Sequence, residues 1–243
     1  MKRVAIKHHI VIYSAKLTAV KQALAYLAVK GIYKGNAVEL QNLSRPELAI
    51  VCKLFGALFY YPPRDFNQFP FGTYFEEDEV ETPIKEVNQV LNSFKFTNQD
   101  TLQDEHDRLF TIQDDMPAPP WSSMYLDRES ILFGHSHKKY CEFIEHCGLG
   151  LREDVTDPED HIGLMLIILG MLIEDEQEQH VKEMLGDYLV TWSGYYFSNL
   201  KKCAAGSVYS ELADQVKRLL ELLCTSYSAQ VQIKNNYFHP VKA

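Results

Sequence analysis

With 243 residues, 46% hydrophobic and 23% charged, the chain is long enough to bury a substantial core and reads as a soluble globular protein of one large domain or two small ones. Its 24 Lys and Arg against 33 Asp and Glu leave a net charge of −9. That balance disfavours a nucleic-acid backbone as partner and offers acidic surface to a cationic one.

The N-terminal stretch MKRVAIKHHIVIYSA has basic residues, but Lys7, His8 and His9 break its apolar run, and a helical pattern stands where a cleavage site would fall; no signal peptide is read. From Ser14 onward, Leu17, Val20, Leu24, Leu27 and Ala28 recur at helical spacing up to Gly31. This amphipathic helix is set in an N-terminal extension, residues 1–45. Ser44 with Glu47 makes a capping box. The following LAIVCKLFGALFYY is apolar on most of its circumference, which predicts a deeply buried helix ended by Pro62 and Pro63. The stretch to Glu81 is aromatic, then acidic, without clean periodicity.

Thr82 and Pro83 read as N-cap and first residue of the helix PIKEVNQVLNSFKF, and Asn98 to Phe110 as another. Ser136 is placed to cap HKKYCEFIEHC, which stops at Gly148; Asp157 with Pro158 opens a helix through DHIGLMLIILGMLI. Helical patterns over about 176–201 and 207–231 complete the chain. Strand alternation is confined to short ambiguous runs such as VAIKHHIVIY. The fold class is therefore all-α, a single helical bundle of about eight or more helices, with a candidate hinge at 148–157. The longest apolar run, Ile162 to Ile173, is far below the roughly 20 residues that span a bilayer.

Five cysteines, at 52, 141, 147, 203 and 224, form no C-x-x-C pair, which suggests neither a disulfide framework nor a zinc ribbon and fits a reducing cytoplasm. No Walker loop, G-x-S-x-G, H-E-x-x-H or G-x-G-x-x-G is present, which lowers the expectation of an enzyme. The densest ligand-like set is His135, His137, Cys141, His146 and Cys147. Its spacing matches no standard zinc site, so it is read as a helix with small buried thiols and exposed histidines, and no metal is assigned. Asp160 beside His161 could suggest acid–base chemistry, yet neighbours on a helix point about 100° apart and form no dyad by default.

One segment resists an ordinary reading. Residues 117–134, PAPPWSSMYLDRESILFG, put prolines, Trp121, Tyr125 and the acids Asp127 and Glu129 into a single connection. Large aromatics beside carboxylates suit a peptide that is both apolar and cationic. The carboxylates of Asp157, Glu159 and Asp160 crowd a second helix start.

Together, PAPPWSSMYLDRESILFG and DPEDHIG (157–163) resemble the TorD/DmsD family of redox enzyme maturation chaperones, its DmsD branch most closely. Supporting matches are LFGALFYY (54–61), DRLF (107–110) and TWSGYYF (191–197). The resemblance implies a non-catalytic, cytoplasmic, all-helical chaperone domain over residues 46–243. Such a protein binds the twin-arginine leader of a molybdenum-containing reductase, a dimethyl sulfoxide reductase-like catalytic subunit, and holds it until the cofactor is inserted. Implied partners are that leader and components of the Tat translocase. The implied state is a monomer or a domain-swapped dimer, and the chaperone carries no cofactor of its own. Carried over by motif, the leader-binding residues are Pro119, Pro120, Trp121, Tyr125, Asp127, Glu129, Asp160 and His161, with Leu109 and Phe110 as a groove wall. Asp127, Glu129 and Asp160 are expected to meet the arginines. His106 replaces an aromatic that the family usually has, and Thr111, Ile112 and Gln113 replace a Gly-Pro. The alternative reading is a general helical, peptide-binding scaffold without leader specificity.

Overall fold

The computed structural model describes residues 10–11, 38–69, 72–76, 82–112, 116–150 and 157–239. Ten α-helices lie among them: α1 (Arg45–Tyr60), α2 (Thr73–Glu76), α3 (Lys85–Phe96), α4 (Gln99–Phe110), α5 (Ser122–Leu126), α6 (His135–His146), α7 (Ile162–Glu174), α8 (Glu178–Glu183), α9 (Val190–Cys203) and α10 (Val208–Tyr227). The all-α class holds. Apart from two isolated bridges, strand pairing among the described residues is limited to β1 (Ile10–Val11), which runs parallel to β2 (Leu149–Gly150). The helix expected from Ser14 to Gly31 and residues 151–156 of the candidate hinge fall outside the described residues.

The two most apolar segments form the centre. Every residue from Leu48 to Phe59 of α1 and from Ile162 to Ile173 of α7 is buried, because a helix apolar all round has no face to give to water. They run antiparallel with their backbones in near contact: a methyl added to Gly163 would stand 2.6 Å from the Gly56 carbonyl oxygen, and one on Gly56 would stand 2.5 Å from that of Gly163. Seven residues along both helices, a methyl on Gly170 would stand 2.6 Å from the Ala49 carbonyl oxygen. Beside this second contact the fully buried Lys53 threads its stem past Gly170 to reach Glu174, Nζ to Oε2 2.9 Å.

Amphipathic helices cover this pair. The Val87, Val90, Leu91 and Phe94 face of α3 and the Leu212, Val216, Leu219 and Leu223 face of α10 point inward. Capping follows local chemistry in α1, where the Glu47 carboxylate accepts the Ser44 N–H at 2.8 Å and its hydroxyl at 2.6 Å, and in α4, where Asn98 accepts the Asp100 and Thr101 N–H groups. α3 begins later than the sequence predicts, at Lys85 rather than Pro83; Thr82 donates its hydroxyl to the Ile84 carbonyl, holding the chain extended for two more residues.

Helices α8 and α9 are joined through a wide π turn, Met184–Leu189. After α10 the chain turns at Ser228, which takes the left-handed conformation (φ 52°), and runs back over the molecule. There the Gln232 N–H donates to the Gly186 carbonyl at 2.9 Å and the Tyr237 N–H to the Tyr125 carbonyl at 2.8 Å. Phe238 is buried against the Tyr125 ring, centroids 5.1 Å apart. No described helix is long and apolar enough to cross a membrane.

Candidate functional site

The two motifs, some forty residues apart in sequence, are joined backbone to backbone. Trp121 and His161 form an antiparallel bridge: the Ser122 N–H donates to the Asp160 carbonyl at 3.1 Å and the Ile162 N–H to the Pro120 carbonyl at 2.8 Å. This explains the proline cluster. Pro119 and Pro120 hold the approach extended, and Pro120 supplies only the carbonyl that the bridge requires.

The joint is dry. Asp160 is completely buried, and its carboxylate accepts the Ser123 N–H at 2.7 Å and the Ser122 hydroxyl at 2.9 Å. Burial pushes its carboxyl above the usual range despite these donors. His161 is the N-cap of α7, its Nδ1 accepting the Gly163 N–H at 3.0 Å. The start of α7 therefore differs from the sequence reading: Asp157 and Pro158 stand ahead of the helix, and an imidazole caps it because the bridge to Trp121 fixes residue 161 in extended conformation. Around His161 sit Trp121 at 5.7 Å, Tyr60 at 5.3 Å and Phe110 at 6.1 Å between ring centroids.

Of the residues expected at the site, Phe110, Pro120, Trp121, Asp160 and His161 are thus together, while Pro119 is buried beside them and Leu109 lies in the general core. Tyr125 points away, its ring fully buried against Trp192 (5.4 Å) and Phe238. Asp127 is buried and turned inward: its two oxygens accept the Ser136 N–H at 3.0 and 3.2 Å, and Oδ2 also accepts the hydroxyl at 2.8 Å. Ser136 is accordingly in the first turn of α6 and is not its cap, since Asp127 supplies the acceptor from a neighbouring element. Gly134 makes room for it, as a methyl there would overlap the Asp127 carboxylate. The expectation that Asp127 and Asp160 present free carboxylates to a cationic peptide does not fit this arrangement: both already serve the protein's own donors.

The exposed acids are others. Glu129 is exposed as expected, and Asp157 is exposed while accepting the Tyr60 hydroxyl at 2.7 Å. Glu159 is one quarter exposed, with Oε2 2.7 Å from His137 Nε2. Two large apolar side chains stand in the same region, Ile131 and Phe133, each 51% exposed. Phe133 has φ 60° and Ser130 φ 47°, a left-handed backbone unusual for either residue and held only where the surroundings impose it. The Phe133 ring meets His137 edge-on at 5.2 Å. Both lie in the PAPPWSSMYLDRESILFG segment, and their exposure follows from a backbone twist no sequence pattern announces. The Trp121 Nε1 and the Asp160 Oδ1 are buried without a hydrogen-bond partner among the described residues. Leaving such a group unmatched costs about 1–3 kcal/mol.

The ligand-like cluster of α6 also differs from its reading. His135 and His146 are exposed, but His137 is buried and faces Glu159. The hydrogen bond to Glu159 raises the His137 pKa against the effect of burial, and the same bond draws the Glu159 carboxyl below its usual value although burial acts the other way. Cys141, one helical turn on, lies 3.5 Å from His137 Nε2; burial, with the Glu159 charge added, pushes its thiol up to about 12. All five cysteines are free thiols.

A model of the nitrate reductase delta subunit family matches residues 76–199, a little over half of the chain. The chain is 28% identical over 195 residues to the Tat proofreading chaperone DmsD of Salmonella typhimurium, covering 79% of this chain and 94% of that protein. It is 26% identical over 160 residues to the chaperone protein TorD of Shewanella oneidensis, covering 60% and 73%. A crystal structure of a candidate redox enzyme maturation protein from Archaeoglobus fulgidus superposes with a TM-score of 0.50 at 22% identity, over 78% of this chain and 98% of that one, and so shares the fold. The bridged motifs thus lie on an all-helical scaffold shared with these proteins, and the chain belongs to the nitrate reductase delta subunit family of TorD-type chaperones, on its DmsD-like branch.

Proposed function

We propose that this protein is a redox enzyme maturation chaperone that binds the twin-arginine leader of a molybdenum-containing reductase and retains it in the cytoplasm before export. The observation that carries the reading is the Trp121–His161 bridge, which sets a connection bearing exposed Ile131 and Phe133 beside the partly open carboxylate of Glu159. A leader with a cationic n-region and an apolar h-region needs apolar surface next to negative charge. Relatives named as Tat proofreading chaperones agree with it.

In this reading Ile131 and Phe133 meet the h-region. Glu129, Asp157 and Glu159 face the arginines, while the buried Asp160, Asp127, Tyr125 and Pro119 shape the connection from beneath. Trp121, Pro120, His161 and Phe110 form the floor. Leu109 supports that floor from the core. Exposed ion pairs contribute about 0.2–1 kcal/mol each, so replacing one rim acid weakens binding by less than about fivefold, whereas losing apolar anchors costs more.

Calorimetry with a synthetic leader peptide tests this. A leader with both arginines changed to glutamine and a scrambled leader should each bind at least about tenfold more weakly. The Ile131→Ser/Phe133→Ser double variant, altered only at exposed positions, should lose about tenfold for the native leader. Equal affinity for native and scrambled peptides would favour the general scaffold instead.

A further inference from the structure

A second arrangement shares Glu159 with the leader reading and otherwise uses residues that reading does not. His137 Nε2, Cys141 Sγ and a carboxylate oxygen of Glu159 all lie within 4.8 Å of one another. His137 and Cys141 share a face of α6 one turn apart, and Glu159 is fixed opposite them because the next residue, Asp160, is anchored to Ser122 and Ser123. We propose that these three residues form a binding site for a divalent d-block cation, zinc(II) first, with a fourth coordination position open to solvent or an external ligand.

The geometry separates this from two other uses of the same residue types. In a cysteine–histidine–carboxylate triad the thiol and the carboxylate sit at opposite ring nitrogens, so that one orients the imidazole while the other loses its proton to it. Here both approach the same nitrogen: Glu159 Oε2 is 2.7 Å and Cys141 Sγ 3.5 Å from Nε2, against 3.9 Å from Sγ to Nδ1. Donor atoms gathered nearer one nitrogen suit a chelate better than a relay, which needs them at opposite nitrogens. A plain hydrogen-bonded cluster, with the thiol donating to Glu159, would use the same three side chains, and metal uptake is what separates it from a chelate.

Distances decide further. With zinc–nitrogen and zinc–oxygen bonds of about 2.05 Å and zinc–sulfur of about 2.3 Å, tetrahedral angles require a nitrogen–sulfur separation of ~3.5 Å and a nitrogen–oxygen separation of ~3.3 Å. The first is present at 3.5 Å; the second needs the 2.7 Å His137–Glu159 contact to open by ~0.6 Å, within reach of a glutamate side chain one quarter exposed. On binding, the cation takes the place of the proton shared by His137 and Glu159, and the Cys141 thiol releases its proton to solvent. A mixed nitrogen, sulfur and oxygen set with three protein donors suits zinc or cobalt better than calcium or magnesium, which take oxygen alone.

The test uses the untagged full chain, stripped with chelator and titrated with zinc sulfate by calorimetry. One equivalent should bind, and H137Q, C141S and E159Q should each weaken it at least about tenfold. H146Q and C147S, changes at the neighbouring His and Cys on the same helix, should leave it unchanged. With cobalt(II) in place of zinc, a thiolate-to-metal charge-transfer band should appear and vanish in C141S, whose circular dichroism reports whether α6 remains folded. Absence of a stoichiometric site, or equal zinc affinity in H137Q and C141S, would overturn the assignment. Leader binding is not part of the readout, so either proposal can fail alone.

Discussion

His106 shows how one position can answer to two chemistries. It stands where the family resemblance calls for an aromatic, and it behaves as one: 5% exposed, it packs on Phe110 at 4.9 Å and Tyr209 at 6.1 Å between centroids. Burial, outweighing the neighbouring Asp107 charge, lowers its pKa from 6.5 to about 4. Between those two values the unfolded chain binds a proton that the folded chain refuses, so His106 leaves the native state stable above pH 6.5 and withdraws about 3 kcal/mol as pH falls to 4. His106→Phe should therefore gain on the parent protein as the medium is acidified, and urea unfolding at pH 7.5 and pH 4.5 would show the gap widen; a constant gap would mean that the imidazole is solvated. The sequence exposed the substitution but not its consequence, since burial of residue 106 depends on Tyr209, a helix far along the chain.

At the level of elements, the pairing of α1 with α7 rests on the absence of side chains where the backbones meet. Gly163→Ala would gain about 1 kcal/mol of helix propensity, but its methyl has rigid backbone at 2.6 Å, and forcing the helices apart costs about 1–3 kcal/mol or more. We expect a net fall in thermal midpoint. Gly194, in α9, is exposed with nothing near its missing methyl, so Gly194→Ala should raise stability by about 0.5–1 kcal/mol. Calorimetric scans of both variants check the opposite signs. Helices whose caps are local were legible in the sequence: Ser44 with Glu47 and Asn98 hold the starts that composition predicts. Those of α6 and α7 were not, because the acceptor for α6 comes from Asp127 and the conformation of His161 from the bridge to Trp121. Both depend on a tertiary contact that spacing cannot show.

Across the whole molecule, the chain beyond α10 acts as a brace under the connection that carries the candidate site. The Ser130 hydroxyl donates to the Tyr237 carbonyl at 3.3 Å, the Tyr237 N–H reaches Tyr125, and Phe238 closes the Tyr125 ring from outside. Phe238→Ala should cost about 2–3 kcal/mol and loosen the 125–134 backbone. Amide exchange at Ser130 to Phe133 should quicken, and leader affinity should fall although no leader contact is removed. Unchanged exchange would separate the brace from the site. The resemblance set both motifs side by side, and the structure joins their backbones at Trp121 and His161. Which carboxylates face outward was hidden, because Asp127 and Asp160 look no different in sequence from Glu129 and Asp157 and are distinguished only by the donors that fold against them.

The brace also sets an order of events during synthesis. Residues 229–239 leave the ribosome after every helix they steady, so a nascent chain carries the 125–134 connection without the Phe238 prop until translation has passed them. On the proposed leader reading, a nascent chain still short of Phe238 would grip a client weakly, and competence would switch on once that residue folds back rather than build up helix by helix.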